Sequence, residues 1–83
     1  MNTKYYLVSL TILTGFLEKS TNHLVCAQNT KEAELMAYEL EKHNKDAAWD
    51  EEEGCFIDDD MRYTGVAKEI PESDYNVLKK YNI

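Results

Sequence analysis

The chain has 83 residues, of which 43% are hydrophobic, with sixteen acidic and nine basic side chains and a formal net charge of −7. This composition is typical of a folded protein and argues against intrinsic disorder. The length predicts one domain over residues 1–83 with a core of modest size. The negative charge argues against direct binding to nucleic acid, whose phosphates it would repel.

The first apolar segment raises two alternatives, a signal peptide that begins with residues 4–17 and a β-strand at Lys4–Thr14. Polar residues interrupt it, and it is too short and too polar to span a membrane. Its content of Tyr, Val, Ile and Thr favours a strand. Alternation then predicts one wholly apolar face toward the core, made of Tyr6, Val8, Leu10 and Ile12. The opposite face is mixed, which suits partial cover or a dimer contact.

A hairpin and a helix follow this strand. Thr14-Gly15 is predicted to begin a turn, and Ser20–Ala27 supplies the second strand. Asn29 is then placed to cap a helix, and Glu32, three residues on, completes a capping-box pattern. The buried stripe of this helix is predicted from the apolar residues at helical spacing, which are Ala33, Met36, Ala37 and Leu40.

A second hairpin is predicted over residues 47–60. Ala48–Asp50 and Cys55–Ile57 flank the sequence Glu52–Gly54, in which the glycine permits a positive φ angle.

The last strand is predicted at Met61–Ile70. Pro71 ends it by removing a backbone donor and opens a short helix, Glu72–Tyr81, with Tyr75 and Leu78 toward the core. The order ββαβββ plus a short C-terminal helix predicts an α+β fold, in which one main helix covers a small antiparallel sheet.

The eleven residues Asp50–Asp60 concentrate the charge of the chain. This window holds seven carboxylates and no lysine or arginine, and removing seven from sixteen leaves nine acidic against nine basic residues elsewhere. Two interpretations remain open. The charges of a solvated hairpin would keep sheet edges from pairing with other chains. Alternatively, the hairpin is a docking surface with carboxylates placed like phosphates, and aromatic anchors beside them. The residues assigned to that partner-binding surface are Trp49, Asp50, Glu51, Glu52, Glu53, Phe56, Asp58, Asp59, Asp60 and Tyr63.

Catalytic and metal-binding patterns are weak in this sequence. His23 and His43 do not lie near a recognisable nucleophile, and the glycines do not form a phosphate-binding loop. The three consecutive acids from Asp58 to Asp60 lack the alternation of a calcium loop, and the cysteines and histidines lack zinc spacing. We therefore expect no catalytic residues, no metal site and no cofactor. Cys26 and Cys55 lack a C-x-x-C spacing and are expected to be free thiols in a reducing cytoplasm.

Several stretches resemble small proteins of bacteriophages and prophages. These are T-G after the first strand, N-T-K-E-A-E at the helix start, the tryptophan-containing acidic hairpin, and V-A-K-E-I-P-E-S-D-Y-N-V-L-K-K-Y. Acidic phage proteins of this size are similar to anti-CRISPR and anti-restriction inhibitors, some of which mimic DNA. Those inhibitors share no common motif, so the resemblance assigns no functional residue.

The resulting expectation is a non-enzymatic inhibitor of phage type in the host cytoplasm. Its acidic hairpin would dock on the basic nucleic-acid-binding surface of a host defence protein, either a CRISPR or a restriction protein. The alternative is a structural or regulatory dimerisation module, in which the acidity serves solubility only. A homodimer is compatible with both, and neither requires a membrane.

Overall fold

Five strands and two helices follow one another along the chain in the computed structural model, which describes residues 3–81. The ends of the predicted domain, residues 1–2 and 82–83, lie outside that range. The elements are β1 (Lys4–Thr14), β2 (Leu17–Ala27), α1 (Thr30–Glu41), β3 (Ala48–Asp50), β4 (Cys55–Asp58), β5 (Met61–Ile70) and α2 (Glu72–Lys80). The strands form one antiparallel sheet in the order β2-β1-β5-β4-β3. The predicted α+β class and element order are confirmed.

The β1–β2 hairpin turns through two residues, Gly15 and Phe16. Thr14 pairs with Leu17, and Gly15 has a φ angle of +61°. A tight turn of this kind matches the right-handed twist of the flanking strands and needs a residue that adopts positive φ without strain. Strand β2 therefore begins three residues earlier than the sequence predicts, at Leu17 instead of Ser20.

Helix α1 begins as the sequence predicts. The Asn29 side-chain oxygen accepts a 2.8 Å hydrogen bond from the Glu32 amide, one of the donors that a helix start leaves unpaired. The helix lies over the apolar face of β1, where the predicted core residues Tyr6, Val8, Leu10 and Ile12 are all buried.

The buried stripe of α1 differs from the predicted one. Ala33 and Ala37 are fully buried, and their small side chains let the helix approach the sheet closely. Met36 and Leu40, predicted to be buried, are 38% and 65% exposed, and Tyr38 is buried instead. The helix is rotated because the aromatic side chains of β4 and β5 take up Tyr38, which buries more apolar surface than Met36 would.

Helix α2 packs on the other face of the sheet. Tyr75 is buried as predicted, and its ring centroid lies 4.8 Å from that of Tyr5, which points away from the α1 side because it alternates with Tyr6. Leu78 is half-buried. The two helices therefore cover opposite faces, and α2 covers only the end of the sheet near Tyr5.

Candidate functional site

The β3–β4 turn is held by the side chain of its first acid, Asp50. Asp50 Oδ1 accepts hydrogen bonds of 2.9 Å and 3.0 Å from the amides of Glu52 and Glu53. The Gly54 amide donates to the Asp50 carbonyl at 2.9 Å, and Gly54 has a φ angle of +68°. An aspartate that bonds the backbone two and three residues ahead stabilises a turn. The Asp50 carboxylate therefore holds the backbone of the turn, and the side chains of the residues after it are exposed to solvent.

The exposed acids of this turn differ in their partners. Glu53 forms an ion pair with Arg62 of β5 at 3.2 Å. Among the described residues, neither Glu51 nor Glu52 has an ion-pair partner. Two of the predicted docking acids thus carry charges that no neighbouring basic side chain neutralises.

Asp58, by contrast, is fully buried. Its carboxylate accepts hydrogen bonds from the amides of His43 and Asn44, at 2.6 Å and 3.0 Å, and from the Tyr63 hydroxyl at 2.7 Å. Burial alone would raise the pKa of Asp58, but these three donors outweigh it and hold the pKa below its ordinary value. The assignment of Asp58 to a docking surface is wrong, because this carboxylate fastens the α1–β3 loop to the sheet.

Asp59 and Asp60 form the two-residue turn between β4 and β5, in which Asp58 pairs with Met61. Both are exposed, and Asp59 has a φ angle of +59°, which aspartate tolerates better than most residues. The four residues of β4 separate this turn from the β3–β4 turn by about 13 Å. The acidic window therefore forms two separate groups at opposite ends of a short strand, and not one continuous acidic face.

The three predicted aromatic anchors are not equivalent. Phe56 and Tyr63 are 2% and 0% exposed, so a partner cannot reach them, and their assignment to the docking surface is wrong. They pack with Tyr38, whose ring centroid is 5.0 Å from that of Phe56. Trp49 stacks on the same Tyr38 ring at 6.1 Å and is 40% exposed. Trp49 is the predicted anchor that lies at the surface.

An open groove of about 540 Å³ lies between α1 and the β3–β4 hairpin. Its lining comes from both elements and consists of Lys31, Glu34, Leu35, Tyr38, Trp49 and Glu51. Trp49 and Glu51 belong to the docking surface predicted from the sequence, whereas the four helical residues do not. Positions 31, 34, 35 and 38 share one helical face by the i, i+3, i+4, i+7 rule. That spacing is the signal for this face in the sequence, but the predicted apolar stripe lies on the adjacent face of the helix.

Two α1 side chains in this groove also close an open part of the sheet edge. Strand β4 pairs only with Met61–Tyr63, which leaves the later β5 amides without a strand partner on that side. The Ala67 amide lies near the Glu34 carboxylate and the Gly65 amide lies near the Tyr38 hydroxyl, and each amide favours the charged form of the side chain beside it. Burial raises the pKa of Glu34. Burial is also the main cause that raises the pKa of Tyr38 to about 12, and the nearby Glu34 charge contributes to the same shift. Both side chains therefore lie in the groove wall beside the unpaired part of β5.

The histidines occupy structural positions. His23 Nε2 lies 2.8 Å from a carboxylate oxygen of Glu41, which connects β2 to the end of α1. His43 contributes its backbone amide to Asp58. Between residues 3 and 81, His, Cys, Asp and Glu side chains form no group of three or more that could hold a metal ion. Cys26 and Cys55 are free thiols, and Cys55 is buried.

Comparisons with known proteins give no match from which the function of the site could be inferred. No protein-family model matches the chain, and no curated protein or solved structure matches it. Neither helix within the described residues has the length and apolar content needed to cross a bilayer.

Proposed function

We propose that this chain is a non-enzymatic protein that binds a basic surface of a partner protein through its β3–β4 hairpin. The observation that carries the proposal is the pair of unneutralised carboxylates, Glu51 and Glu52, beside the half-exposed Trp49 on a turn held rigid by Asp50. A fixed turn loses little conformational freedom on binding. Charge complementarity speeds the encounter, and a partly buried tryptophan is a typical hot spot.

The partner class in this proposal is a nucleic-acid-binding protein of a host defence system, reached in the host cytoplasm. Surfaces that bind nucleic acid carry arrays of lysine and arginine that neutralise phosphates. The two acidic turns, about 13 Å apart along β4, can contact two separate basic patches of such a surface. Occupying it would exclude the nucleic acid, so the protein acts as a competitive inhibitor, in keeping with its resemblance to small phage proteins.

The experiment neutralises the exposed turn acids and leaves Asp50 and Asp58 in place, because those two hold the fold. The test variant replaces Glu51→Gln, Glu52→Gln, Asp59→Asn and Asp60→Asn. The control variant makes the same change in net charge at exposed sites elsewhere, with Glu18→Gln, Glu39→Gln, Glu69→Gln and Asp74→Asn. Each protein is used to capture partners from host lysate at low and high salt, and duplex DNA is then added as a competitor.

At low salt the test variant should fail to capture the partner, whereas wild type and the control variant should capture it. Adding duplex DNA should then release the captured partner from both. Exposed like charges contribute little to stability, so both variants should unfold near the wild-type temperature. Equal capture by the two variants would reject the two acidic turns as the docking elements. Capture that DNA does not reverse would reject competition for a nucleic-acid site.

A dimerisation module is the second candidate function, and the β1–β2 hairpin favours it. Strand β2 is eleven residues long and lies at the edge of the sheet. Apolar side chains at the hairpin end are exposed, with relative accessibilities of 107% for Phe16, 75% for Leu17 and 41% for Leu13. A long edge strand can pair with a second copy of itself. In this alternative the acidic turns serve solubility only.

A further inference from the structure

The groove between α1 and the β3–β4 hairpin has an aromatic wall. Trp49, Tyr38 and Phe56 stack one upon another, with interplanar angles of 27° between the first two rings and 18° between the last two. Tyr38 and Phe56 are buried, so the stack is anchored in the core, and Trp49 is its exposed end. A rigid, nearly parallel stack with an open outer ring provides a flat apolar surface for a planar group.

The rim of the groove carries two carboxylates, Glu34 and Glu51, that form no ion pair within the described part of the chain. Glu34 is half-buried and lies near the Ala67 amide, and partial burial of its carboxylate raises its pKa. Glu51 stands on the hairpin side of the groove. Among residues 3–81, no basic side chain forms an ion pair with either carboxylate, although Lys31 also lines the groove. The site thus combines an aromatic wall with two carboxylates that a cation would stabilise.

We infer that this groove binds the guanidinium group of an arginine side chain, stacked on Trp49 and hydrogen-bonded to Glu34 and Glu51. The inference rests on the proposed function, since the arginine would belong to the basic surface of the partner. Guanidinium is planar, weakly hydrated and carries donors in a fork, so it can stack and bond two carboxylates together. The ammonium of lysine is compact and strongly hydrated, and it would use the aromatic wall less well.

Lys31 allows a test of whether the ligand of the groove is a cation or an anion. A cation in the groove would be repelled by Lys31, whereas an acidic peptide or a phosphate would be attracted by it. Replacing Lys31→Ala should therefore tighten the binding of arginine and weaken the binding of an anion.

The experiment uses the single tryptophan of the chain as the probe, because Trp49 lies in the groove itself. The protein is titrated at low salt with three capped tripeptides, Gly-Arg-Gly, Gly-Lys-Gly and the neutral Gly-citrulline-Gly, while Trp49 fluorescence is recorded. The arginine peptide should give a saturable change, the lysine peptide a weaker one and the citrulline peptide none. Glu34→Gln and Glu51→Gln should each weaken arginine binding by roughly three- to tenfold. Glu18→Gln, at an exposed position on β2, is the matched control and should leave it unchanged.

Two outcomes would overturn the inference. One is no saturable change with the arginine peptide, or an equal change with citrulline. The other is weaker arginine binding in the Lys31→Ala variant. Failure of the proposed function is distinguishable, because the peptide titration needs no partner. If the arginine peptide binds while neutralising the turn acids does not affect partner capture, the groove is an arginine site and the docking proposal is rejected.

Discussion

The Asp58 carboxylate accepts a 2.7 Å hydrogen bond from the Tyr63 hydroxyl, and both residues are fully buried. The Tyr63 hydroxyl oxygen also lies 3.2 Å from the Glu41 carbonyl, so the pair brings β5 against the end of α1. Together with the amides of His43 and Asn44, this arrangement pairs a buried charge with three donors from two parts of the chain. A buried carboxylate that lost one donor would be costly.

Replacing Asp58→Asn should therefore destabilise the fold. Asparagine has the same shape as aspartate, but its NH₂ group would face one of the donors that now hydrogen-bond to the carboxylate. That donor would lose its acceptor. The free energy of unfolding should fall by about 2–3 kcal/mol. Urea unfolding measures the effect, and Asp60→Asn, two residues on and exposed, is the control that should change stability by less than about 0.5 kcal/mol. Equal effects of the two substitutions would contradict the role of Asp58.

Acid should remove the same stabilisation. Because the pKa of Asp58 is lowered in the folded protein, its contribution is complete above the unfolded pKa of about 4 and is lost as the pH falls from there through the folded pKa. The difference in unfolding free energy between wild type and Asp58→Asn should be constant near neutrality and shrink below about pH 4. A difference that does not change with pH in this range would show that the pKa of Asp58 is the same in the folded and the unfolded protein.

We expect that position 65 does not tolerate a side chain, because the surrounding atoms leave no space for one. A Cβ at this position would lie 2.6 Å from Leu10 Cδ2 and 3.3 Å from the Tyr38 hydroxyl. Gly65→Ala should cost about 1–2 kcal/mol through overpacking, and Leu10→Val in the same chain should recover part of it. Gly54→Ala is the contrasting control. No atom lies within 4 Å of a Cβ there, but φ is +68°, so its cost should come from backbone conformation and should not be relieved by Leu10→Val.

Dimerisation through the β2 edge can be tested on its own. In a two-residue hairpin the residues flanking the turn are a hydrogen-bonded pair, so the amides of alternate residues from Glu18, including Ser20, point away from β1. Ser20→Pro removes an edge donor without breaking a β1–β2 bond, whereas Ser20→Ala keeps it. If the edge pairs two copies, light scattering at micromolar concentration should give a dimer mass for wild type and Ser20→Ala and a monomer mass for Ser20→Pro. A monomer mass for all three would reject the second candidate function.

Local signals made much of the fold predictable. Alternation in β1 identified Tyr6, Val8, Leu10 and Ile12 as core, and the amide-capping chemistry of Asn29 located the start of α1. Both depend on residues that are near neighbours in the sequence. The first turn begins at Thr14-Gly15 as predicted, but the start of β2 is predicted three residues too late, because Phe16 and Leu17 do not have the composition of a turn that ends there.

The candidate site was only partly predictable, since it depends on contacts between distant segments. Asp58 is indistinguishable from Asp59 and Asp60 in the sequence, and its burial depends on amides fourteen and fifteen residues away. Phe56 was assigned to the surface because charged residues flank the apolar run that contains it. Its burial follows from Tyr38, whose inward position depends in turn on β4 and β5. Periodicity along one helix does not contain that information.

The shortness of β4 has a consequence for how such a chain can change in evolution. Because β4 stops pairing at Tyr63, the side chains of Tyr38 and Glu34 lie beside the Gly65 and Ala67 amides, respectively, where a longer strand would pair. An insertion of roughly two residues in each of β3 and β4 would preserve the facing of their side chains and extend the ladder along β5. The inserted backbone would then compete for those amides, displace both side chains and fill the groove. In descendants of this chain, strand length and the identities of positions 34 and 38 should therefore change together.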